Sequence, residues 1–162
     1  DKIPLAGLLA RMQENWPEAL SPETEAILAI IRLNDVVDEH ARKIMSRFSL
    51  TPVSFEVLTT LRAMPHPRQL TPTELYRTTL ITSGGMTKVL KNLEDRQLID
   101  RIASDQDGRS RFVRLLPAGA DLIEKAMTAV MEGDQDLMSR SLSEDQRNNL
   151  RTILLEALER LE

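Results

Sequence analysis

Apolar residues recur along most of this chain at helical spacing, with one short interruption by β-forming runs. In the first 20 residues, Leu5, Leu8, Leu9, Met12 and Trp16 fit one face of an amphipathic helix. Ser21-Pro22 gives the next helix start. Ile27, Ile30, Val37, Ala41, Ile44 and Phe48 repeat through about Arg47, and Leu28, Ile31 and Leu33 widen the stripe. Thr51-Pro52 opens a third helix, ended by Met64-Pro65-His66-Pro67, where two prolines forbid continuation. Thr71-Pro72-Thr73-Glu74 is a capping box with proline at the first helical position. Met86, Val89, Leu90 and Leu93 then fall at i, i+3, i+4 and i+7. Ile99 to Ala103 and Phe112 to Leu116 are short runs of β-formers, and Asp107-Gly108 between them is a hairpin turn signal. Pro117 opens a helix carrying Leu122, Ile123, Ala126, Met127, Val130 and Met131, expected to break or bend near Gly133. Ser143-Glu144-Asp145-Gln146 is a second capping box, before a stripe of Leu150, Ile153, Leu154, Ala157, Leu158 and Leu161.

Helix, tight turn, second helix and hairpin in that order predict a winged helix-turn-helix. The expected fold is mainly α with a small β-hairpin wing, flanked by N- and C-terminal helices. Residues 1–21 form a helical extension, and residues 22–162 the winged domain. Within it the reading head spans about 50–116, and the helices 22–48 and 117–162 lie outside it. These outer helices carry more apolar surface than a small winged core absorbs. Burial across a two-fold axis is the usual solution, so a homodimer is expected.

Composition narrows the function classes. At 162 residues the chain suits one domain with helical extensions. No apolar run approaches the roughly 18 residues that span a membrane, and no basic region followed by an apolar core marks a secretory leader. A cytoplasmic protein is the expectation. Without cysteine there is no thiolate metal site and no thiol redox chemistry. His40 and His66 are the only histidines, far apart and without a motif around either. No metal, no cofactor and no catalysis are expected. The net charge of −4 argues against nucleic acid until its distribution is read. From Arg68 to Arg114 nine basic residues face six acidic ones, so the acidic excess lies elsewhere. Salt screens charges beyond roughly 8 to 10 Å, and a local basic surface on an acidic body still binds phosphate.

The candidate DNA contacts follow from the pattern. The expected reading helix, 82–96, packs its apolar stripe inward and offers Gly84, Thr87, Lys88, Lys91 and Asn92 outward. Small, hydroxyl, amide and ammonium groups on one helix face suit a major groove. Thr82 and Ser83 are N-cap candidates, and Gly84 and Gly85 are read as first-turn residues that let the backbone approach DNA. Lysines chiefly fix position on phosphate, whereas Thr87 and Asn92 suit base edges. Arg109 and Arg111, at or just past the hairpin tip, suit a minor groove. Arg77 on the preceding helix suits a phosphate. Each has a plainer reading: lysine pairs as a solvated face, or Arg109 paired with Asp105 or Asp107 to stiffen the wing.

The run Leu70-Thr71-Pro72-Thr73-Glu74-Leu75, then Thr82-Ser83-Gly84-Gly85-Met86-Thr87-Lys88, Leu93-Glu94, Leu98-Ile99 and Arg101 resembles the MarR family of bacterial transcription factors. Asp105, Asp107, Arg109 and Ser110 match that family's wing, and Leu50-Thr51-Pro52 with Phe55, Val57 and Leu58 resembles its second helix. The resemblance runs from about Glu23 to the C-terminus. Gln97 departs from it, standing where many members have a glycine. Pro117 stands where a threonine often caps, with Gly119 in the expected place. The resemblance implies a sequence-specific regulator of double-stranded DNA, a homodimer on a pseudo-palindromic operator. It further implies a repressor released by a small effector, often an aromatic acid or phenol. The alternative is a winged-helix interaction module that never touches DNA.

Overall fold

The structure, a computed structural model, describes residues 3–79, 85–103 and 111–162. The chain divides into two compact units, 1–41 and 42–162, and each is described by itself.

In the first unit, α1 (Leu5–Asn15) is the amphipathic helix expected from the pattern, and it ends at Trp16. A single 3-10 turn, Pro17–Ala19, leads to Ser21, whose hydroxyl accepts from Thr24 N–H at the head of α2 (Pro22–Ser46). Arg32 on α2 donates to the Ile3 carbonyl, 2.9 Å away. The α2 residues Ile27, Ile30, Ile31, Leu33, Val36 and Val37 are all exposed.

The second unit holds the core. Thr51 caps α3 (Pro52–Ala63) by accepting from Ser54 N–H, and Val57, Leu58 and Leu61 are fully buried. Pro65 and Pro67 follow the end of α3 as the prolines require. A strand of two residues, β1 (Gln69–Leu70), precedes α4 (Pro72–Thr78), then come α5 (Met86–Asp95), β2 (Ile99–Ala103) and β3 (Arg111–Leu115). The sheet is antiparallel in the order β1-β3-β2, with Ile99 opposite Leu115 and Ala103 opposite Arg111. The hairpin was legible in the sequence; β1 was not, because two residues carry no periodicity. It puts β3 in the middle of the sheet, with Gln69 opposite Arg114.

Helix α6 (Pro117–Ser141) corrects one expectation: it runs unbroken through Gly133. An interior glycine costs about 1 kcal/mol against alanine, too little to end a helix anchored elsewhere. Ala120, Ile123, Ala126 and Val130 are its buried anchors, and α3 packs on this face. Gly119 is obligatory, because a Cβ there would sit 2.2 Å from the Leu98 carbonyl oxygen. Ser143 and Gln146 close the second capping box at α7 (Glu144–Leu161), none of whose residues is buried. No helix among the described residues is long and apolar enough to cross a membrane.

Candidate nucleic-acid interface

The reading element is fixed from beneath. Leu75 of α4 and Leu93 of α5 are fully buried, Leu90 nearly so, and both helices pack on α3. At the start of α4 the capping box is complete: Thr71 N–H and Oγ1 each donate to Glu74 Oε2 at 2.8 Å, and Glu74 N–H donates to Thr71 Oγ1 at 3.2 Å. The Thr71 amide, then its hydroxyl, hold the Glu74 carboxyl below its ordinary pKa. At the other end Thr78 Oγ1 donates to the Glu74 and Leu75 carbonyls, and the Leu75 carbonyl also accepts from the Thr79 N–H at 3.1 Å.

Helix α5 begins later than expected. Gly85 is not a first-turn residue; it flanks the helix as N-cap with φ at +103°. That left-handed conformation is strained for any residue with a Cβ, which accounts for the glycine and stops the helix from extending back through it. Thr82, Ser83 and Gly84 lie outside the described residues. After α5, Arg96 is the C-cap and Gln97 adopts φ +56°. This is the turn where the family prefers glycine, and the positive φ gives the physical reason.

Thr87, Lys88, Lys91 and Asn92 are all exposed along α5, opposite Leu90 and Leu93. Arg77 is exposed on α4. Lys88, Lys91 and Arg77 enter no ion pair among the described residues. Other basic groups of the same window are committed internally, which the raw charge count concealed. Arg101 Nε lies 3.2 Å from Glu94 Oε2. Arg114 grips both oxygens of Asp100, its cross-strand partner, with Nε to Oδ1 at 3.1 Å. Arg96 Nη1 donates to the Ser49 carbonyl at 2.8 Å, tying the end of α5 to the turn before α3. The register Asp100 opposite Arg114 is the signal that finds one of these pairs, since opposite charges face across a ladder. Arg109 lies outside the described residues. Arg111 opens β3 opposite Ala103, at the hairpin's tip end.

Residues 48–110 match the sequence model of the MarR family. The chain is similar to winged-helix transcriptional regulators of that family. Among curated relatives, the regulator PecS of Dickeya dadantii is 27% identical over 123 residues, spanning 76% of this chain and 74% of PecS. The multiple antibiotic resistance protein MarR of Escherichia coli is 24% identical over 126 residues, spanning 78% of this chain and 85% of MarR. A MarR-family regulator from Streptomyces coelicolor, solved in complex with DNA, superposes with TM-score 0.73 at 21% identity, covering 88% of this chain and 94% of that one. A MarR mutant from E. coli complexed with operator DNA gives TM-score 0.68 at 25% identity, covering 80% and 91%. These relatives are regulators by name, so no catalytic assignment is carried over from them.

Proposed function

We propose that this protein binds double-stranded operator DNA as a homodimer and represses transcription until a small molecule releases it. The observation that carries the reading is the outward face of α5. Two lysines, a threonine and an asparagine stand there, the lysines in no internal ion pair among the described residues, on a helix pinned by Leu90 and Leu93. Thr87 and Asn92 suit base edges, and Lys88, Lys91 and Arg77 suit phosphates. The wing arginines, Arg109 and Arg111, are assigned to the adjacent minor groove. Thr82, Ser83 and Gly84 belong to the same reading as the approach to α5. The relatives solved with DNA support this assignment by likeness.

The homodimer reading rests on exposed apolar side chains: Ile27, Ile30, Ile31 and Val37 on α2, and Ile153, Leu155, Leu158 and Leu161 on α7. A soluble monomer rarely leaves apolar surface of that extent uncovered. Two-fold symmetry would set two reading helices about 34 Å apart, one turn of duplex.

An effector site is supported by the open groove between α3 and α6. It has a volume of about 310 Å³ and is lined by Thr59, Arg62, Ile123, Glu124, Met127 and Thr128. That volume is at the lower end of small-ligand pockets. Ile123 and Met127 offer an apolar floor for a ring. Arg62 Nε, 2.6 Å from Glu124 Oε1, offers a cation that an acidic effector would share. Thr59 Oγ1 is buried with no partner among the described residues, a second polar point.

The test is selection of genomic DNA by the purified protein near physiological salt, with Lys88→Ala beside the parent. Enrichment of a pseudo-palindrome by the parent is expected, with the log–log salt slope reduced in the variant by about one per subunit. A folded parent that enriches nothing, with or without candidate aromatic acids, would favour the interaction-module reading instead.

A further inference from the structure

A cavity of about 270 Å³ opens where the loop after α3 meets the junction of β3 and α6. Among the described residues it shares only Glu124 with the α3–α6 groove. Its size is just below the roughly 300–1,000 Å³ of pockets for drug-sized ligands, which leaves room for a small metabolite. The lining carries both signs of charge. His66 and Arg68 come from the loop and Asp121 from α6, while Leu115, Leu116 and Pro117 give an apolar wall. Opposite charges around so small a space normally pair, as Arg62, Arg101 and Arg114 of the same unit do. Here they do not. The side chains of His66, Arg68 and Asp121 enter no hydrogen bond or ion pair among the described residues, so cation and carboxylate face one cavity without meeting. Arg68 is half-buried and its backbone is pinned. Its N–H donates to the Pro65 carbonyl at 2.7 Å, its carbonyl accepts from Leu115 N–H at 3.0 Å, and its φ is +59°. A left-handed residue with a Cβ persists where its surroundings over-determine it, so the guanidinium has a fixed root. Leu116, at the head of α6, gives no side-chain cap, and the first-turn amides add a positive end to the same wall.

We propose that this cavity binds an aliphatic α-amino acid as its zwitterion. The carboxylate accepts from the Arg68 guanidinium, at the positive end of α6, with His66 of the same loop as a second donor. The ammonium donates to Asp121, one turn further along α6. Glu124 is not its partner, because Arg62 Nε already holds Glu124 Oε1 at 2.6 Å. A ligand of one charge would satisfy one wall and leave the other unpaired as water is expelled, which is costly. A zwitterion satisfies both. The lining holds no aromatic ring other than His66, so the wall of Leu115, Leu116 and Pro117 suits a branched aliphatic side chain. The inference stands apart from the DNA-binding reading and from the acidic effector assigned to the α3–α6 groove.

The test is calorimetric titration of the full chain with L-leucine and L-valine. Beside them run 4-methylpentanoate, which lacks the ammonium, and leucinamide, which lacks the carboxylate. One amino acid per chain is expected to bind saturably, and each analogue at least about tenfold more weakly than leucine, the scale of one hydrogen bond to a charged group. Arg68→Gln and Asp121→Asn should each weaken leucine by a similar factor, with thermal midpoints in the absence of ligand equal to the parent's. Met127→Ala, in the α3–α6 groove, should leave leucine binding within about twofold of the parent. A parent that saturates with neither amino acid up to about 10 mM overturns the proposal. Leucine binding that survives both Arg68→Gln and Asp121→Asn, or that Met127→Ala abolishes, overturns it by placing the ligand elsewhere. Binding of 4-methylpentanoate as tight as that of leucine overturns it in favour of a plain carboxylate site.

Discussion

Helices α5 and α7 are built by the same rule and end in opposite situations. Both carry leucines at helical spacing on one side and polar residues on the other. In α5 the leucines at 90 and 93 are buried against α3 and β2, so the polar face turned outward is free to recognise something. In α7 nothing is buried, and Ile153 and Leu158 are 63% and 51% exposed despite a complete capping box at its start. A cap and a stripe make a helix; they do not say whose surface the stripe covers. In the reading head the cover is the same chain. For α7, and by the same measure for α2 between Ile27 and Val37, the proposed cover is a second copy.

The sharpest way to break that contrast is to remove one leucine from each class. Leu93→Ala should cost about 2–5 kcal/mol, the range for emptying a packed core site. Denaturant unfolding should show the same loss at every protein concentration, since the core belongs to one chain. A loss that vanishes on dilution would mean that the head is not self-sufficient. Leu158→Glu should leave the protomer's own fold intact and weaken the dimer. Each buried leucine contributes about 1.5–3 kcal/mol and symmetry counts it twice, so dissociation should rise at least about a hundredfold. Sedimentation over a concentration series reads this directly. A variant as dimeric as its parent would place the two-fold contact away from α7.

The two regions were also unequally legible in the sequence. The caps at Thr51, Thr71 and Ser143 use local chemistry, and each sits where the residues put it. The hairpin followed from two β-forming runs around Asp107-Gly108. The start of α5 was misread, because whether Gly85 is a helical residue or a left-handed flank depends on backbone geometry that composition does not encode. The break expected at Gly133 failed for the converse reason: tertiary anchors at Ile123, Ala126 and Val130 outweigh a local propensity. Lys88 and Lys91 were singled out by position on a helix, and both are exposed there. The arginines at 96, 101 and 114 looked equally eligible, and only pairing across space showed that Ser49, Glu94 and Asp100 already engage them.

The smallest effect compares the two capping boxes themselves. At α4 the returning acceptor is Glu74; at α7 it is Gln146, whose Oε1 accepts from Ser143 N–H at 2.9 Å. One titrates and the other does not. Glu74 is held below its usual pKa, first by the Thr71 amide and then by the Thr71 hydroxyl. A depressed folded pKa means that the box stabilises α4 fully above the unfolded carboxyl value of about 4.3 and loses that contribution as pH falls through the lower folded value. Glu74→Gln keeps an acceptor in place and removes the proton. The variant should be slightly less stable than the parent at pH 7, and the gap should close as the pH is lowered to about 3. Gln146→Ala, as a control, should show an offset with no such pH dependence. A Glu74→Gln gap that stays constant through the same range would mean that the carboxylate contributes only as a hydrogen-bond acceptor. The two boxes would then be equivalent in kind, differing only in what the helices behind them cover.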